Sequence, residues 1–76
     1  MPLTNSSVAA SVRAELARAG VSGRQLAKDL GWSAGKTHRR LAGSEPFRID
    51  ELVQVAEHLG IPVATFLPEA RAEKVS

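Results

Sequence analysis

Seventy-six residues without a cysteine make one small domain, held by packing alone, since neither a disulfide nor a cysteine-ligated zinc can brace it. No apolar run approaches the roughly 20 residues that span a bilayer, and the first residues lack the basic and apolar blocks of a signal peptide, so no membrane association and a cytoplasmic location are expected. The net charge is only +2, yet residues 1–23 carry +1, residues 24–48 carry +4 and residues 49–76 carry −3, a polarity that turns one side toward phosphates.

Residues 1–5 are expected to form a flexible lead. Ser6 or Ser7 then caps a helix reaching about Ala19, with Val8, Val12 and Leu16 spaced to face a core, and Gly20 ends it. Ser22 caps a second helix over about Arg24 to Leu30, whose Leu26, Ala27 and Leu30 form a buried stripe. Gly31 makes the turn, and Ser33 caps a third helix that stops at Gly43. After the loop SEPFR, a fourth helix from Ile49 to Leu59 is expected to present Ile49, Leu52, Val53, Ala56 and Leu59 inward, with Asp50 and Glu51 favoured by the dipole of its first turn. Gly60 closes it. A last turn from Val63 to Leu67 supplies Val63, Phe66 and Leu67, and Pro68 stops it before a charged, frayed tail at 69–76. No segment alternates as a strand does, so the expected fold is all-α, a compact bundle of four helices plus a short fifth over residues 6–68.

The stretch GRQLAKDLGWSAGKTHRRLAG thus places two short helices around a glycine turn, the second carrying basic side chains at exposed positions. With Gln25 opening the first of them, Ala27 at the close crossing, Gly31 in the turn, Gly43 at the end and LVQVAEHLGIPVATFL downstream, the chain resembles the Cro and lambda-repressor-like helix-turn-helix family over about Val8 to Leu67. The resemblance implies a small phage or bacterial DNA-binding regulator, a repressor by preference, that inserts helix 33–42 in the major groove of an operator as a symmetric dimer.

One departure shifts the third helix. Arg40 stands where the family has an apolar core residue, and Leu41 takes a neighbouring place that is usually polar. At about 100° per residue, Thr37 and Leu41 form the buried edge and Arg39 points away from them. Arg39 is therefore the first candidate for a base contact, because a guanidinium can donate two parallel hydrogen bonds to guanine O6 and N7. The resemblance adds Ala34, Gly35 and His38 as base-facing residues. It places Gln25 at the phosphate backbone, and charge or position adds Ser33, Lys36, Arg40 and Arg48 there. Arg24 and Lys28 are read as solvated surface, and Trp32 as packing between the two motif helices. Dimer contacts are implied near the last two helices, where Pro62, Val63, Phe66 and Leu67 offer apolar surface.

Catalysis finds no foothold: His38 and His58 give no metal spacing, and Ser22–Gly23 lacks any triad context. No metal or cofactor is expected. The rival reading is a protein-interaction module, either the DNA-binding half of an antitoxin that neutralises a toxin or a helical adaptor with an acidic partner. A toxin or a polymerase is then a possible protein partner beside DNA.

Overall fold

The computed structural model describes residues 4–67, so the stop at Pro68, the tail and residues 1–3 of the lead lie outside the described part. The first helix, α1 (Asn5–Ala19), is capped by Thr4 and not by Ser6 or Ser7. The Thr4 hydroxyl accepts from the Ser7 N–H, and the Ser7 hydroxyl accepts from the Thr4 N–H, both at 3.0 Å. Serine here takes the part that glutamate or glutamine plays in the usual reciprocal cap, which moves the helix start upstream and makes Asn5 helical.

The next two helices begin on serines, as their spacing predicts. In α2 (Gly23–Leu30) the Ser22 hydroxyl accepts from the Gln25 N–H at 3.0 Å, and in α3 (Ala34–Ala42) the Ser33 hydroxyl accepts from the Lys36 N–H at 3.1 Å. Gly31 joins them at φ 72°. Gly43 ends α3 at φ 81°, and a Cβ there would come within 3.3 Å of the Ser6 Cα. Left-handed backbone costs a side chain about 1–2 kcal/mol, so Gly43→Ala should lower stability by at least that much. An unchanged denaturation midpoint would refute this.

The fourth helix, α4 (Ile49–Leu59), buries Glu51, Leu52, Val55 and Ala56, while Ile49 is 69% exposed and Val53 36%. Two apolar stripes at three-and-four spacing exist in this segment, 49/52/53/56 and 52/55/56/59, and periodicity alone does not choose between them. The second faces inward. It carries Glu51 in with it, against cations of α3, and leaves Ile49 and Val53 outside.

The core gathers Val8, Val12 and Leu16 of α1, Leu26 of α2, Leu52, Val55 and Ala56 of α4, and Phe66. Phe66 closes a 3-10 turn (Val63–Phe66) and is fully buried. Around this core α3 packs on α1 and α2, and α4 packs on α1, α2 and the 3-10 turn. Trp32 lies half-buried between α2 and α3, its ring tilted against Phe47 at 6.5 Å between centroids. The expected all-α bundle is what forms, with no strand among the described residues. No described helix is long and apolar enough to cross a membrane.

Candidate nucleic-acid interface

Thr37 fixes the rotation of α3. It is buried, and its hydroxyl donates to the Ser33 carbonyl at 2.9 Å, while Leu41 one turn on packs against the core. The 100° step per residue then carries Ala34, Gly35, His38, Arg39 and Ala42 to the surface, where all five are exposed. No part of the described chain covers that side.

The charges on α3 are less free than their number suggests. Lys36 Nζ lies 2.9 Å from Glu51 Oε2 and 4.7 Å from the centre of the Trp32 ring. Arg40 Nε lies 3.1 Å from Glu51 Oε1, and its Nη1 meets Glu45 Oε2. Arg39 Nε lies 2.8 Å from Glu45 Oε1. All three cations of α3 thus meet a carboxylate supplied by the following loop or by the first turn of α4.

Glu51 is the hub. Burial pushes its carboxyl up, but the Arg48 N–H at 2.8 Å, the Lys36 ammonium and the Arg40 guanidinium together hold it down at about 2. The hydrogen bond to Glu51 in turn raises the Arg40 guanidinium above its usual value, against the effect of burial. The same carboxylate caps α4, since the Arg48 side chain makes no cap bond of its own. Arg40 is therefore engaged by Glu51 and Glu45 together, and its charge is directed inward.

The other expected phosphate contacts are scattered more widely. Ser33 is exposed at the α3 N-terminus, its hydroxyl engaged by the Lys36 N–H. Gln25 is exposed on α2 and donates from Nε2 to Asp29 Oδ1 at 2.7 Å. Arg48 reaches into solvent beside Asp50, at 3.1 Å.

Two arginines that the chain order does not single out join the surface. A cleft of about 600 Å³ runs between α2 and α3, with Leu41 and Trp32 in its walls, and brings Arg13 and Arg24 alongside Ala34 and His38. Arg13 donates from Nη1 to the Leu41 carbonyl, across 28 positions of sequence. Only the tertiary fold makes that neighbourhood. For Glu45 and Glu51 a signal did exist: acids five and eleven positions beyond Arg40, within reach of α3 once the loop doubles back.

With this geometry in place, the family comparison is direct. A model of the helix-turn-helix domain matches residues 8–66, from the first turns of α1 to the end of the 3-10 turn. The chain belongs to the helix-turn-helix domain family. Searches of curated proteins and of solved structures return no match. As a helix-turn-helix domain it is a DNA-binding module, of a family that is typically not enzymatic, and α2 and α3 are the pair that gives the family its name.

Proposed function

We propose that this helix-turn-helix domain is a sequence-specific regulator of transcription of the Cro and lambda-repressor-like type, acting as a small repressor. It lays α3 along the major groove of duplex DNA, with Ala34, Gly35, His38 and Arg39 toward the base edges. The observation that carries this reading is the uncovered side of α3, an exposed surface flanked by two serine-capped helix starts whose free N–H groups suit phosphates. Gln25, Ser33 and Arg48 are the simplest phosphate anchors. Lys36 and Arg40 serve chiefly by fixing α3 to α4, and contribute to the field around the groove rather than by direct contact.

One short helix reads few base pairs, so a homodimer on paired half-sites is the proposed active form, working in the cytoplasm of a bacterial or phage-infected cell. Phe66 is fully buried and cannot pair two copies. Pro62, Val63 and Leu67 remain at the end of the domain, and Ile49 and Val53 add an exposed apolar pair on α4. Occupancy of an operator would obstruct polymerase.

Selection from a pool of random duplexes, followed by a salt titration of the winner, tests the proposal. A palindromic preferred site is expected, with log affinity falling by about 0.9 per phosphate contact for each decade of salt. Failure to retain any duplex at low ionic strength would defeat it, and would favour the protein-interaction module, with a toxin or another protein on the same surface.

A further inference from the structure

We propose that Glu45, Arg40 and Gly35 form a positioning device that presets Arg39 for base reading; this rests on the assignment of α3 as the reading helix. The device is a chain of alternating charge running outward from the core. Its side chains are 4% exposed at Glu51, 15% at Arg40, 44% at Glu45 and 50% at Arg39. Glu51 holds Arg40, Arg40 holds Glu45 through one carboxylate oxygen, and the other oxygen of Glu45 takes Arg39 Nε at 2.8 Å. A flexible surface arginine is thereby tied to a buried anchor.

The manner of the tie leaves the working end free. Glu45 engages Nε, and no described residue accepts a hydrogen bond from Nη1 or Nη2 of Arg39. Those two terminal nitrogens form the edge that can donate in parallel to guanine O6 and N7. The Arg39 side chain lies back along α3 toward its N-terminus, as helical side chains do, and its Nη1 would sit 3.1 Å from a Cβ at residue 35. Glycine at 35 weakens the helix, and it keeps the space that the guanidinium occupies. Gly35 and Glu45 are therefore positioning residues, one by absence of bulk and the other by charge.

Ordering Arg39 before DNA arrives removes a rotamer cost from specific binding only, because nonspecific binding does not need the fork in one place. Glu45 also repels phosphates, so its charge acts in opposite directions on the two kinds of binding. Glu45→Gln should lower the ratio of specific to nonspecific affinity about three- to tenfold while raising nonspecific affinity about twofold. Gly35→Ala should lower the ratio by a similar factor by displacing the Arg39 guanidinium. Alanine favours the helix, so unfolding cannot produce that loss.

The test uses the full chain, the preferred duplex from the selection and a scrambled duplex of the same composition, with Arg39→Ala as a second background. In that background Glu45→Gln should leave the ratio unchanged, and Gly35→Ala should lower it less than it does when Arg39 is present. If Arg39→Ala lowers the ratio but Glu45→Gln and Gly35→Ala do not, the positioning device is overturned and base reading by Arg39 stands. Equal effects of the two substitutions with and without Arg39 would also overturn it. If Arg39→Ala itself leaves the ratio unchanged, base reading falls and the device with it.

Discussion

Glu51→Gln is expected to destabilise the domain by about 3 kcal/mol, a large share of the stability of a chain this small. Glu51 accepts from three donors of three origins: the Lys36 ammonium, the Arg40 guanidinium and the Arg48 backbone N–H. Glutamine is nearly isosteric and keeps an acceptor oxygen. It cannot neutralise Arg40, whose side chain is only 15% exposed, and it leaves the guanidinium with the half-exposed Glu45 as its one remaining described carboxylate partner, a weaker compensation than the buried Glu51 gives. Arg40→Leu should cost less, because Glu51 would retain Lys36 and the helix cap, and leucine brings no charge to a position that is only 15% exposed. The double substitution should cost less than the sum of the two by about 1–3 kcal/mol, the signature of direct coupling. Additive losses in chemical denaturation would show that the pair does not act as a unit.

Acid titration gives an independent reading of the same contact. The Glu51 carboxyl is held at about 2 in the fold against its ordinary 4.5, so its contribution is complete above about pH 4.5 and disappears as pH falls through about 2. That shift corresponds to about 3 kcal/mol. The stability difference between the unsubstituted chain and Glu51→Gln should therefore be constant near neutrality, shrink across that window and vanish below it. A difference that persists undiminished from neutrality down through pH 2 would place its origin in packing rather than in charge.

Most of the fold was legible because its signals are local. Serine followed by a helical run, and glycine just past one, state their positions within three or four residues, and the α2 and α3 boundaries follow from them. Where the expectation missed, a partner lay outside the window. Ser6 and Ser7 look like caps until Thr4 is found closing a reciprocal pair with Ser7. Val53 looks as apolar as Val55, and the choice between them belongs to α3, whose Arg40 and Lys36 draw Glu51 inward. The candidate site divides in the same way. Rotation of α3 could be read from Thr37 and Leu41, but the sequestration of Arg40 depends on an acid eleven positions later, and the approach of Arg13 to Leu41 depends on the crossing of α1 and α3.

Arg39→Ala should separate reading from holding. If the guanidinium donates to guanine O6 and N7, its removal costs about 1–3 kcal/mol at each half-site, and a symmetric dimer suffers that loss twice. Nonspecific binding should fall only by the share of one charge, itself reduced by the nearby Glu45. Arg48→Ala makes the contrast, since the Arg48 side chain is solvent-exposed at the start of α4 and its one described partner is the similarly exposed Asp50. Such surface pairs contribute little, so Arg48 can exchange Asp50 for a phosphate at small cost, and its loss should weaken preferred and scrambled duplexes alike and reduce the salt slope by about one. Arg40 cannot make that exchange, because leaving Glu45 and Glu51 would uncover a buried carboxylate. Three arginines of one basic segment are thus predicted to differ by environment alone: one reads, one holds and one braces. Equal losses on both duplexes for Arg39→Ala would remove the first of these roles and leave α3 a charged surface without a reader.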